Sequence, residues 1–183
     1  PDDIIITIDD DILYQNTMVE TLLKYHERFP GAVVARNAKL ITCNEEGEPA
    51  PYEKWCCWCN EYIETPRMDF IAIGNGGILY PEHFGSHAEL YCKDKFMEIC
   101  PYADDIWLKI MEAYREIPVV LAEKFFSDKV LQEHQKSCLY EDHNKNGGND
   151  RQLRTVLNEY PYTYKKENLV DCIFSTGRIS CKE

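Results

Sequence analysis

Ile4-Ile5-Ile6-Thr7-Ile8 runs without interruption into Asp9-Asp10-Asp11. β-Branched side chains favour the extended chain. A run apolar at successive positions, rather than alternate ones, predicts a strand covered on both faces of a sheet. Cover on both faces requires layers on either side, and so points to the α/β class. The three carboxylates at the strand end repel one another unless a cation or a substrate's positive charge lies among them. Ligands of open α/β sheets bind outside the carboxyl ends of the strands. Carboxylates at i and i+2 offer the oxygen donors that Mg²⁺ and Mn²⁺ take. The alternative for the same residues is a solvated acidic turn leading into a helix cap.

The next segments alternate helix and strand. Thr17-x-x-Glu20 has the spacing of a capping box. Val19, Leu22, Leu23, His26 and Phe29 recur at helical intervals, and Pro30-Gly31 stops the helix. His26 on that stripe reads as a packed histidine. Ala32–Ala35 reads as a strand, completing a β-α-β unit whose strands pair in parallel through a right-handed crossover. Residues 36–50 read as a loop. Between 52 and 63, Tyr52, Trp55, Trp58 and Tyr62 predict a short helix packing aromatics on the core, with a sugar-stacking platform as the alternative.

Phe70–Ile73, Gly74-Asn75-Gly76-Gly77 and Ile78–Tyr80 read as strand, glycine turn and strand. The glycines permit positive φ and close approach of the backbone to a ligand. A tight hairpin is the alternative, and the pattern is not a P-loop. After an irregular stretch over 82–99, Ile106, Trp107, Ile110, Met111 and Tyr114 predict an amphipathic helix. Asp104 stands at its N-cap position and Asp105 in its first turn. Beyond capping, two acids facing the same sheet end as Asp9–Asp11 would place a general base beside a metal. Ile117–Leu121 predicts a strand, residues 123–140 are mixed with His134 at the surface, and 141–150 predicts a flexible polar loop. Asn149 or Asp150 would cap a last helix bearing Leu153, Val156, Leu157 and Tyr160, and the tail reads as short strand or coil. No internal repeat or linker divides the 183 residues, so one domain is expected.

The net charge of −12 argues against a general nucleic-acid binder, which needs a basic face. No apolar run reaches the roughly 18 residues of a membrane span, and no signal peptide is expected. The chain starts without Met in what reads as mid-fold, so an N-terminal portion is expected outside this sequence. Nine cysteines, an odd number at irregular spacing, suit free thiols of a reducing cytoplasm. Cys56-x-x-Cys59 is half of a zinc spacing with no second half.

Three of these segments carry a family likeness. The strand ending in Asp9-Asp10-Asp11 resembles the D-x-D motif of GT-A fold glycosyltransferases. Gly74-Asn75-Gly76-Gly77-Ile78-Leu79-Tyr80 looks like their glycine-rich acceptor-side segment. Ala103-Asp104-Asp105-Ile106-Trp107-Leu108 is similar to the acidic pair, often Glu-Asp, that opens a helix and supplies the base in inverting members. The order agrees, and the likeness is closest to bacterial transferases that build surface polysaccharide. The resemblance implies an α/β, three-layer GT-A-like mixed sheet flanked by helices, with residues 1–183 forming the C-terminal portion of such a domain. It implies Mn²⁺- or Mg²⁺-dependent transfer of a sugar from a nucleotide-sugar donor to a hydroxyl of a glycan or lipid-linked acceptor. It implies a cytoplasmic site, with peripheral association at the inner face of the membrane.

Carried over by position, Asp9 would contact the ribose or the metal, Asp11 would coordinate the metal, and Asp10 would assist by charge. Asp105 would deprotonate the acceptor, supported by Asp104. Asn75, Gly76 and Gly77 would border a sugar, and His143 would be a further metal ligand. The pair here is Asp-Asp rather than Glu-Asp, which leaves open which acid is the base. The residues that precede the D-x-D strand in the family, and recognise the nucleotide base, are missing. Two other readings compete. In a haloacid-dehalogenase-like phosphatase, Asp9 would be nucleophile, Asp11 acid and Asp104-Asp105 the late metal acids, although Leu13 stands where Thr or Val is usual. The third reading is a non-catalytic domain that binds a sugar or a partner.

Overall fold

The computed structural model describes residues 3–57, 59–124, 128–131 and 139–177. Trp58, His134, Cys138 and Cys181 lie outside them. In chain order the elements are β1 (Ile5–Thr7), β2 (Ile12–Leu13), α1 (Met18–Arg28), β3 (Val33–Ala35), β4 (Ala38–Leu40), β5 (Phe70–Ala72), β6 (Ile78–Tyr80), α2 (Lys93–Ile99), α3 (Asp104–Tyr114), β7 (Val119–Leu121), β8 (Lys129–Val130), α4 (Gly148–Glu159) and α5 (Leu169–Ile173). Single 3₁₀ turns join several of them. The chain is thus mixed α/β. No helix among the described residues is long and apolar enough to cross a membrane.

A four-stranded mixed sheet in the order β1-β6-β3-β7 frames the molecule. β6 runs antiparallel to both neighbours, with Ile6 opposite Leu79 and Leu79 opposite Val34. β3 and β7 run parallel, with Val34 opposite Val120. β1 and β3 therefore point the same way, but they do not pair as the β-α-β reading expected. β6 fills the gap between them, because an apolar run specifies burial and not strand direction.

Side chains alternate across this sheet, and each face has its own core. Val33, Ala35, Ile78 and Tyr80 join the large cluster beneath α3, α4 and α5, with Ile106, Ile110, Val156 and Ile173. Val34 and Leu79 face the other way, onto Met18 and Leu22 of α1. The buried stripe of α1 is thus Met18 and Leu22, with Tyr25 packed against it. Val19 and Leu23 of the expected stripe are exposed, and His26 is only half-buried. Thr17 is the N-cap residue but makes no side-chain cap bond. β1 departs from expectation too. It lies at the sheet edge, is half-buried throughout, and leaves Ile8 58% exposed.

Residues 36–50 are not a plain loop. β4 pairs antiparallel with β5, placing Lys39 opposite Ile71, and a small turn at Gly47 brings the Ala50 N–H to Thr42 O at 2.8 Å. Since β5 pairs with β4 while β6 belongs to the main sheet, the glycine segment is a crossing between two sheets rather than a hairpin. The expected helix over 52–63 is two 3₁₀ turns, Tyr52–Lys54 and Asn60–Tyr62. Trp55 between them is buried and donates from Nε1 to Ala50 O at 2.7 Å. Within 141–150 a π-turn, Tyr140–Asn144, precedes α4, whose N-cap is Gly147 at φ 81° rather than Asn149 or Asp150. α5 stands where strand or coil was expected, because Asn168 caps it by accepting from Asp171 N–H at 3.0 Å. The described cysteines, Cys43, Cys56, Cys57, Cys59, Cys92, Cys100 and Cys172, are free thiols.

Candidate functional site

The carboxyl end of β1 and the amino end of α3 meet across one glycine. Gly74 opens the 3₁₀ turn between β5 and β6 and donates its N–H to Asp105 Oδ1 at 3.1 Å. A Cβ added at Gly74 would lie 3.1 Å from Asp9 Oδ1 and 3.5 Å from Asp105 Oδ1. The bare Cα thus leaves the space in which carboxylates from segments far apart in sequence converge. They form one side of an open cleft of about 330 Å³, lined also by Asp104, Asn75, Tyr52 and Asn149.

Each wall has a local cause. Ala103 is the N-cap of α3, in a non-helical conformation at φ −139° and ψ 70° that ends the Cys100-Pro101 segment. Asp104 is therefore the first helical residue and not the cap. Ile106, Trp107, Ile110 and Met111 bury the helix face, and that packing fixes where Asp105 points. Asp9 is held at its backbone, whose N–H donates to Tyr14 Oη at 2.8 Å. Asn75 is anchored by Asn37, whose Nδ2 donates to Asn75 Oδ1 at 2.7 Å. Tyr52 donates its backbone N–H to Asp150 Oδ1 at 2.7 Å, tying the aromatic segment to the start of α4.

The electrostatics are those of crowded like charges. Burial, and then the Asp104 charge, push Asp105 up to about 8, with Asp9 and Glu112 adding to the rise. The Gly74 N–H works in the opposite direction without cancelling it. Asp9 is also raised, first by partial desolvation and then by Asp11, Asp104 and Asp10. Among the described residues, Asp9, Asp104 and Asp105 form no salt bridge with a lysine or arginine. A carboxyl near 8 is protonated for much of its time at neutral pH, and can both accept and return a proton.

The other expected site residues stand outside the lining. Asp10 is exposed, and Asp11 is half-buried with its carbonyl accepting from Leu131 N–H at 2.8 Å. Both act on Asp9 through charge. Gly76 and Gly77 are buried behind the turn. A Cβ on Gly76 would meet Asn37 at 2.7 Å, and Gly77 adopts φ 81° facing Met18. Their lack of side chains lets β6 pack against Asn37 and Met18. His143 is exposed and stacks its ring on Tyr102 at 3.9 Å between centroids. Tyr52 lines the cleft, but its ring packs at 4.7 Å from Trp55 and beneath Lys39 Nζ at 4.0 Å, so the platform is partly occupied by the protein itself.

Asn149, expected only as a helix cap, is a site residue. It is 5% exposed, lines the cleft and leaves Oδ1 without a partner. Among the described residues, no group of three or more His, Cys, Asp or Glu is arranged to hold a metal ion. Asp9, with the Asp11 charge close by, nevertheless offers donor chemistry that fits Mg²⁺, which commonly binds through one or two carboxylates with waters and substrate phosphates completing its shell. No protein-family model, curated protein or solved structure matches this chain.

Proposed function

We propose that the cleft transfers a sugar from a nucleotide-diphosphate sugar to a hydroxyl acceptor, as in a GT-A-like glycosyltransferase of surface-polysaccharide synthesis. The observation that carries this is the meeting of Asp9 with Asp104-Asp105 across Gly74, with Asp105 pushed up to about 8. Asp105 is the base: it takes the acceptor hydroxyl proton as that oxygen bonds to the anomeric carbon and the bond to the departing phosphate breaks. Asp104 holds the Asp105 proton affinity high by its adjacent charge. Asp9 faces the donor, and Asn75 and Asn149 offer amide groups to sugar hydroxyls. A Mn²⁺ or Mg²⁺ held by Asp9, with Asp11 alongside, would stabilise the negative charge of the leaving diphosphate. A cation held there would let a chain of net charge −12 accept an anionic donor. The mixed sheet with helices on both faces supports the GT-A-like reading, and a cytoplasmic place on the donor side of the membrane belongs with it.

Calorimetry with UDP and Mn²⁺ tests the donor half. Binding that needs Mn²⁺ and falls at least tenfold in Asp9→Asn is expected. Hydrolysis of a generic phosphate ester, without nucleotide binding, would shift the assignment to the phosphatase reading. Neither response would leave a sugar- or partner-binding domain.

A further inference from the structure

A second cluster of reactive side chains lies in Cys56-Cys57-Trp58-Cys59, away from the acid cleft. Cys56 is pinned by its backbone to β4, donating N–H to Leu40 O at 3.0 Å and accepting from Leu40 N–H at 2.9 Å. Its side chain is exposed. Cys59 folds back on it, with Sγ donating to Cys56 O at 3.3 Å, and is 1% exposed. The Cys56 thiol donates to Cys57 O at 3.2 Å, and the Cys59 thiol reaches the Cys56 carbonyl, so both sulfurs lie about the Cys56-Cys57 backbone. Burial first, then the nearby Cys56 sulfur, push the Cys59 thiol up to about 12. The Cys57 thiol turns elsewhere, toward Trp55 O at 3.9 Å. Among the described residues no third ligand joins the pair to make a metal site.

We propose that Cys56 and Cys59 form a reversible intramolecular disulfide, with Cys56 as the entry thiol and Cys59 as the resolving thiol. A low-molecular-weight disulfide is the oxidant. The Cys56 thiolate attacks one sulfur of oxidised glutathione, and the first glutathione leaves as thiolate and takes up a proton. Cys59 then loses its proton and attacks the Cys56 sulfur, and the second glutathione leaves. Two protein thiols are oxidised and one glutathione disulfide is reduced to two thiols. Exposure makes Cys56 the accessible partner. Burial makes the Cys59 thiolate scarce at neutral pH, so ring closure is the slow step.

The test is oxidised glutathione added to the chain, acid quenching, alkylation and peptide mapping by mass. Wild type is expected to lose two hydrogens and to carry a Cys56–Cys59 bond that dithiothreitol reverses. Its closure rate rises roughly tenfold per pH unit near neutrality, as the thiolate fraction does. Cys59→Ser is expected to stop at a lasting glutathione adduct on Cys56. Cys56→Ser, a change at an exposed position, should keep the fold and form no bond at Cys59. A lasting adduct on wild type, pairing of Cys56 with Cys57 or with another chain, or no reaction at Cys56 would overturn the proposal.

Discussion

Asp69 and Asp105 are both enclosed carboxylates, and the protein treats them in opposite ways. Asp69 is fully buried and receives Arg67 Nε and Nη2 at 2.7 Å each, with Thr176 Oγ1 donating at 2.9 Å. Every neighbour named there is a donor or a cation, which is what burying a charge requires. Asp105 receives one backbone N–H and has Asp104 and Asp9 as neighbours. Glu112, about two turns along the same face of α3, is intermediate: Lys109 donates to it at 3.1 Å, yet burial still raises it. The contrast separates carboxylates that hold the fold from carboxylates the fold holds against their preference. Groups of the second kind gather where proton transfer is performed.

The largest expected effect breaks the second kind. Asp105→Asn keeps the shape and the Gly74 hydrogen bond but cannot take a proton. Transfer should fall by about 10²–10⁴-fold in kcat with UDP binding retained. Transfer left intact would remove Asp105 from the base role and leave the crowding without a chemical purpose.

Breaking the first kind should damage the fold instead. Arg67→Ala strands Asp69 without its cation, and loss of one partner of a buried pair costs about 3–5 kcal/mol. Urea unfolding measures this directly. A loss under about 1 kcal/mol would mean that Thr176 and water suffice for Asp69, and that its burial does not depend on the cation.

The pH dependence of stability reports on the second kind. The Asp105 carboxyl binds its proton more tightly folded than unfolded. Between the ordinary carboxylate range and about 8, the native state therefore holds more protons than the unfolded one, and stability falls as pH rises. The loss through this window is on the order of a few kcal/mol. Asp105→Asn should flatten the fall and be the more stable protein at pH 8. A wild-type curve that rises from pH 5 to 8 would contradict the shift.

How much of this was legible follows the same division. The convergence of Asp9 with Asp104-Asp105 could be read because a strand that runs into acids, and a helix that opens on acids, both point to the carboxyl rim of a sheet. The α3 stripe could be read because Ile106, Trp107, Ile110 and Met111 repeat without ambiguity. The α1 stripe slipped because Val19-Leu22-Leu23 and Met18-Leu22-Tyr25 fit the helical period equally well, and only the facing Val34 and Leu79 choose between them. β4 was hidden because Ala38-Lys39-Leu40 is too short for a period, and its partner lies some thirty residues away. Asn149 could not be seen as a cleft residue, since its burial depends on how α4 docks on α3.

The smallest effect tests the hinge of the comparison, Gly74. Its φ lies outside the left-handed region, so alanine is compatible with the backbone, and the shorter list of unfolded conformations should stabilise the chain by about 0.4–1 kcal/mol. Against that, the new methyl meets Asp9 Oδ1 at 3.1 Å, and Asp9, at an exposed strand end, is the side that gives way. Gly74→Ala should therefore leave the melting temperature level or slightly raised while weakening Mn²⁺-dependent UDP binding by about tenfold, since small misplacements of a positioning group are costly. A variant that lost stability and binding together would show that Gly74 serves packing, as Gly76 and Gly77 do. One that changed neither would show that the two carboxylates need not approach each other for the donor to bind.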